Sequence, residues 1–282
     1  MDKNKTFAQI EQEYDEMVKT IENLSSEAIS RQQKCRQGCY PFSMSYVREG
    51  SPLDFLLSHS VTCHRKTLND TSWQEISRIV AMGLAPFLFN VGDAKTVQLK
   101  DGTSIDVRII GFYHDKDADG RLLPISFETV QTMNDDEAMN EKYTNEGGWE
   151  KSFLRARLNG SFFDEMLPDD LKAVIKPCVK LTGTGGKNPV MGQTVDKLFV
   201  LSEQEIFGRK VFSMGGEGHW YDWYRQEDNP YGKVKLNGEA DWRWERSPDG
   251  SNSTSFCSVG SGGNANYSDA NDNLGVAFGF CV

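Results

Sequence analysis

Asp115, Asp117 and Asp119, followed at once by Gly120, match the opening of a calcium-binding loop. In such a loop alternate carboxylates converge on a hard cation and the glycine makes the turn. The bidentate glutamate expected at the twelfth loop position is missing, because Ser126 stands there. Three acids beside a glycine also make an ordinary solvated turn, so calcium is one of two readings of this segment. Cys35, Cys39, Cys63 and His64 offer four zinc ligands on paper, but a C-x3-C pair followed by adjacent Cys and His lacks the spacing of a common zinc knuckle. Simple thiols are the alternative. Glu245 and Arg246, beside Trp244, could do acid-base work; a buried arginine pairing a carboxylate beneath tryptophan is also ordinary core construction. Cys257 and Cys281 each follow a phenylalanine and are expected near the core, as the thiol pair to test for proximity.

Those groups must be positioned by elements of modest size. Ser72 reads as the N-cap of a helix running through Trp73, Ile76, Ile79 and Val80 to Gly83. Residues 95–100 and 104 onward read as a hairpin, with Asp101-Gly102 as its turn signal. Helices are expected over Trp149–Leu158, with Trp149, Ser152, Arg155 and Leu158 on one face, over Asp169–Ile175, and near Gln204. The aromatic cluster Trp220, Tyr221, Trp223 and Tyr224 suits either the rim of a pocket or a brace behind it. This mixture predicts an α+β domain with short strands and long loops over residues 72–282. Residues 1–36 differ: Phe7, Ile10, Tyr14, Met17, Ile21, Leu24 and Ala28 alternate steps of three and four, the a/d seam of a coiled coil or one face of an amphipathic helix. A coiled coil would make the protein a homo-oligomer. Residues 37–71 read as a connector.

The C-terminal segment has an unusual vocabulary. Of the 25 residues from Asp249 to Asn273, 20 are Asp, Gly, Ser, Asn, Thr or Tyr, and none is Lys, Arg, Glu or Gln. Such side chains are short, or in tyrosine rigid, so they hydrogen-bond and stack at low entropic cost, as in an antibody paratope. A flexible linker shares that composition. Against a linker, apolar residues recur at Phe256, Val259, Ala265 and Ala270, and Val276, Phe278 and Phe280 then alternate with small residues as in a half-buried strand. The chain is expected to end inside the fold.

The series SWQEISRIVAMG, NVGDAKTVQLKDGTSIDVRIIGFYHD, GGWEKSFLRARLNGSFFDEMLPDDLKAVIK, DKLFVLSEQEIFG, GEG, WERSP and GVAFGFCV, spread over residues 72–282, resembles a family of uncharacterised domains of gut Firmicutes and their phages. That family looks related to the formylglycine-generating-enzyme branch of the C-type lectin fold, and several members resemble the variable proteins of diversity-generating retroelements. The resemblance implies a C-type-lectin-like fold whose tail, residues 241–273, is rewritten by adenine-directed mutagenesis. Randomising the first two letters of an AAC codon gives Asn, Asp, Ser, Gly, Tyr, Ala, Thr, His and similar residues but never a stop, Lys, Gln, Glu or Trp, an exclusion the tail obeys from Asp249 to Asn273. The implied constant framework is Trp244, Glu245, Arg246, Ser247, Pro248, Phe256, Cys257, Val259, Gly263, Ala265, Ala270 and Gly275 onward. The implied diversified, ligand-contacting positions are Arg243, Asp249, Gly250, Asn252, Ser255, Ser258, Gly260, Ser261, Asn266, Tyr267, Ser268, Asp269, Asn271, Asp272 and Asn273.

Composition narrows the function classes. The chain has 282 residues and a net charge of −10, with no cluster of basic and aromatic residues, which argues against nucleic acid and anionic membranes as partners. No apolar signal core or membrane-spanning run is present in the sequence, and six cysteines without a signal suggest reduced thiols. The leading expectation is a non-enzymatic module that binds a protein or glycan receptor, made in the cytoplasm and displayed on a virion or cell surface. No catalytic residue is assigned, and no cofactor beyond calcium at Asp115, Asp117 and Asp119. A formylglycine-generating-type enzyme, which needs a reactive cysteine pair, and a structural subunit of a phage tail or cell surface are the alternatives.

Overall fold

A computed structural model describes residues 67–226 and 231–282. The heptad seam and the four paper zinc ligands Cys35, Cys39, Cys63 and His64 lie outside the described residues.

The helix expected after Ser72 is α1, Trp73–Ala81. Ser72 and Glu75 make a reciprocal capping box, with Glu75 N donating to Ser72 Oγ (3.2 Å) and Ser72 N donating to Glu75 Oε2 (2.9 Å). The helix buries Trp73, Ile76 and Ile79, and the Trp73 ring meets Phe127 and Phe280 edge-on. A one-turn helix α2, Ala85–Leu88, follows. Strands β1 (Ala94–Gln98) and β2 (Ser104–Phe112) form the hairpin that the Asp-Gly pair announced; Gly102 takes φ +92°, which explains the glycine. Strand β3 (Ile125–Thr129) extends that sheet, and the last strand, β13 (Gly279–Cys281), closes it in the order β1-β2-β3-β13. Gly279 has no substitute there, since an added Cβ would lie 2.7 Å from the Phe199 ring and 2.8 Å from the Phe127 carbonyl. The chain therefore ends inside the fold, with Val282 exchanging backbone hydrogen bonds with Ile125.

Between β3 and β13 come β4 (Glu137–Ala138), the hairpin β5 (Cys178–Gly183) and β6 (Met191–Asp196), the small pair β7 (Lys233–Val234) and β8 (Ala240–Asp241), then β9 (Arg243–Pro248), β10 (Ser255–Val259), β11 (Ala265–Asp269) and β12 (Asn273–Leu274). Strands β9, β10 and β11 make a three-stranded sheet, order β11-β10-β9, and β12 pairs with β4.

This architecture overturns the expected α+β, C-type-lectin-like fold with a helical N-terminal segment. Small antiparallel sheets dominate, with 32% strand against 20% helix, and no helical segment is described before α1. No α-helix among the described residues exceeds the nine residues of α1. The expected Trp149–Leu158 helix illustrates why. A 3-10 turn at Trp149–Lys151 stops at Ser152, whose hydroxyl caps a new helix α3, Phe153–Arg157. A π-helical stretch, Leu158–Met166, then kinks at Gly160. Trp149 and Arg155 still converge, but through tertiary contact: Trp149 Nε1 and Arg155 Nε both donate to Asp196, at 2.9 and 2.6 Å. Helix α4 covers only Asp169–Lys172, short of the expected Ile175, and α5 is Glu203–Phe207. The period-two pattern at the C-terminus survives as β13 alone, because every residue from Leu274 to Val282 is buried.

Candidate functional site

The floor of the C-terminal sheet is β9, all six of whose residues are buried. Arg246 pairs with Glu205 of α5, not with its neighbour Glu245: Nη2 donates to Glu205 Oε1 at 2.8 Å and Nη1 to Oε2. Its remaining donors reach the carbonyls of Leu181, Val200 and Glu217, at 3.2, 3.1 and 2.8 Å. A buried guanidinium with every donor used is a rigid structural fork. Glu205 is also the acid of the α5 capping box, and it accepts from Lys180 Nζ at 3.2 Å. Lys180 donates on to Asp115 Oδ1 (2.6 Å) and the Tyr221 hydroxyl (2.7 Å), while Tyr221 and Ser126 donate to Asp115 Oδ2, both at 2.6 Å. Burial opposes ionisation of Asp115 and Glu205, but the Lys180 ammonium at Asp115, and Arg246 then Lys180 at Glu205, hold both carboxyls below their ordinary range. Lys180 is buried too, yet its two carboxylates raise its pKa. This network is closed: two cations, two anions, and no face open to a substrate.

A second cluster surrounds Glu128. Lys233 Nζ lies 3.1 Å and Arg243 Nη1 3.4 Å from its carboxylate, and the Tyr224 hydroxyl donates to it at 2.7 Å. Burial pushes the Lys233 ammonium down to about 7, with Glu128 resisting and Arg243 assisting. Tyr221 and Tyr224 thus brace the core from within, and Trp220 donates to the Ile206 carbonyl at 2.8 Å.

The acidic triplet does not assemble. Asp115 turns inward to Lys180, whereas Asp117 Oδ1 accepts the backbone N–H groups of Asp119 and Arg121, and Arg121 forms ion pairs with Asp117 and Asp119 at 2.7 Å each. Among the described residues, three sets of Asp, Glu, His or Cys bring ligand atoms within 4.8 Å of one another, and none includes Asp117 or Asp119. Cys178, Cys257 and Cys281 are free thiols. Cys281 shares such a set with Cys178 and Asp115, while Cys257 lies with Glu203 and Glu245, so the two thiols singled out from the sequence keep different company.

The tail residues separate by depth. Arg243, Asp249, Ser255, Ser258 and Gly260 are buried; Asn252, Asn266, Ser268 and Asp269 are half-buried; Gly250, Ser261, Tyr267, Asn271, Asp272 and Asn273 are exposed. Buried members do structural work. Asp249 Oδ1 accepts from Ser251 N, Ser251 Oγ and Asn252 N, at 2.7, 2.8 and 3.2 Å, which fixes the β9–β10 turn. Asn145 Nδ2 pins the same turn from outside, donating to the carbonyls of Asn252 and Ser255, each at 2.7 Å. Ser255 Oγ donates to Asp269 Oδ1 at 3.0 Å and ties β10 to β11. Strand β11 is the sheet edge, and from it Tyr267 projects 46% exposed with its ring against Phe212. Because Ala270 N donates to the Thr254 carbonyl, the 249–254 and 269–273 turns adjoin at one end of the sheet. The arrangement offers short hydrogen-bonding groups and one aromatic ring on an ordered support.

Sequence reasoning missed Lys180, Glu205 and Glu128 as network members. Glu205 alone had a local signal, the Ser202-x-x-Glu205 capping pattern.

No curated protein and no solved structure matches the chain. Residues 124–282, which include β3 through β13, match the family model described as a domain of unknown function, DUF6273, and the chain belongs to that family.

Proposed function

We propose that this is a ligand-binding display protein, a variable protein of the diversity-generating-retroelement kind, whose binding surface is the β11 edge and the two adjoining turns. The observation that carries this reading is the sorting of the tail by depth. Of the apolar framework, Trp244, Phe256, Val259, Ala270 and Phe278 are fully buried and Ala265 half-buried, while ten of the fifteen implied variable positions, at Gly250, Asn252, Ser261, Asn266–Asp269 and Asn271–Asn273, have partial or full exposure. A surface that must accept many side chains requires that separation, since exposed substitutions away from caps and networks cost within about 0.5 kcal/mol. On this reading Arg243, Ser255 and Ser258 act by holding the surface, without touching a ligand. Presentation as an oligomer through residues 7–28 would add avidity to weak single contacts. Among the described residues no helix is long and apolar enough to cross a membrane. Display on a virion or cell envelope, by association with other subunits, is part of the proposal.

Sequencing the locus in many isolates of one strain tests the reading. Substitutions at adenine-rich codons should concentrate on the exposed and half-exposed tail positions while Trp244, Arg246, Phe256 and Phe278 stay fixed. An invariant tail would remove the diversified-surface reading.

A further inference from the structure

Behind β9, on the side opposite Arg246, lies a buried acid with no hydrogen-bonded partner, on which Arg243 and Arg246 act only electrostatically. Glu245 is fully buried, and neither of its carboxylate oxygens has a hydrogen-bond partner. Unpaired buried carboxyl oxygens are costly. Ligand atoms of Glu245, Glu203 and Cys257 all lie within 4.8 Å of one another. Glu203 accepts the backbone N–H groups of Val211 (2.7 Å) and Ser213 (3.0 Å) on Oε2, and that of Phe212 (2.8 Å) on Oε1. Its Oε1 therefore keeps a lone pair free. The Cys257 thiol has only a long contact, 4.0 Å, with the Pro248 carbonyl. Glu217 carries one more buried oxygen without a partner, Oε2, and is felt electrostatically by both Glu245 and Cys257.

We propose that Glu203, Glu245 and Cys257 form a buried site for a divalent transition-metal ion, zinc by ligand chemistry. One thiolate with two carboxylates suits a borderline-soft cation better than calcium or magnesium, which take all-oxygen shells. Binding displaces the thiol proton and any carboxyl proton to solvent, and the dication neutralises the acids that share this pocket. Because all three ligands are closed off from solvent, the ion enters as the chain folds. The site also has a mechanical link to the surface. Glu203 holds the 211–213 segment, whose Phe212 lies against Tyr267 and whose Phe212 carbonyl accepts from Gly250 N at 2.9 Å. An ion on Glu203 would stiffen the support of the β9–β10 turn. This proposal stands independently of what, if anything, the surface binds.

The test is to unfold the full chain in denaturant, refold it with Zn2+ or Co2+, dialyse against metal-free buffer, and measure metal per chain by mass spectrometry. The wild type should retain one more ion per chain than Glu245→Gln, and its cobalt form should show a near-ultraviolet thiolate-to-cobalt band that weakens in Cys257→Ala. Zinc should also raise the melting temperature of the wild type and leave that of Glu245→Gln unmoved. Should either variant fail to fold by circular dichroism, the other still decides. Equal metal content and equal cobalt spectra in wild type and variants, or no zinc-dependent shift in melting temperature, would overturn the proposal.

Discussion

The pocket around Lys180 and the pocket around Glu245 use the same kinds of residue within one core, yet they balance charge differently. In the first, Asp115 and Glu205 face Lys180 and Arg246, and all four ionise because each supplies the other's counter-charge. In the second, Glu245, Glu203 and Glu217 cluster beside Cys257, and burial drives Glu245, Glu217 and Cys257 toward their protonated forms, a push that Arg243 and Arg246 offset only in part at the acids. The Glu128 cluster completes the series, with two cations to one carboxylate and a lysine forced down to about 7. Burial pushes each of these groups toward its neutral form, and the charges facing it decide whether that push prevails.

The largest effect should come from unbalancing the balanced pocket. Arg246→Met leaves Glu205 with one cation and removes the guanidinium donors from the Leu181, Val200 and Glu217 carbonyls, of which Glu217 keeps the Ser202 hydroxyl, so we expect a loss of about 3–5 kcal/mol in urea-induced unfolding. A loss below about 1 kcal/mol would mean that this network is dispensable. Next comes Lys233, whose folded pKa lies below its unfolded value. The unfolded chain binds the extra proton between about pH 7 and the ordinary lysine value near 10.4, so this group adds stability as pH rises, at up to about 1.4 kcal/mol per pH unit. Urea titrations at pH 7 and 9.5 should show that slope, and Lys233→Met should flatten it.

Glu245 carries the opposite sign from Asp115 and Glu205. Its folded pKa is raised, so its contribution is full below the ordinary glutamate value near 4.3 and is lost as pH rises through the folded value. In chelator, Glu245→Gln should therefore become progressively more stable than wild type between pH 5 and 8. Asp115 and Glu205 are depressed, so their contribution is present above about pH 4 and lost on acidification, with melting temperature falling in that range. The smallest effect belongs to the surface: Asn271→Ser or Asn271→Tyr should change stability by no more than about 0.5 kcal/mol, whereas Ser258→Tyr, buried in β10, should cost about 1–3 kcal/mol by overpacking. Equal tolerance at Ser258 and Asn271 would erase the distinction between floor and surface.

Local chemistry was legible wherever it was complete within a few residues. Ser72 and Glu75 cap α1, Asp101-Gly102 turns the first hairpin, and the apolar residues of the tail return it to the core, because caps, turns and periodicity need no distant partner. Whatever depended on distant partners was not legible. Asp115 left its neighbours Asp117 and Asp119 because it pairs with Lys180 and Tyr221, far along the chain, while Arg121 bridges the other two. The adjacent Glu245 and Arg246 parted because successive residues of a strand face opposite sides of a sheet. Trp149 and Arg155 met at Asp196 without a shared helix, because the helical pattern broke into short pieces at Ser152 and kinked at Gly160. The sequence by itself determined where the chain caps, turns and buries its apolar residues, and which tail positions carry small polar groups. Only the tertiary structure decided which of those positions reach the surface, and which buried acid found a base, since both depend on packing that brings together residues from 25 to 115 positions apart.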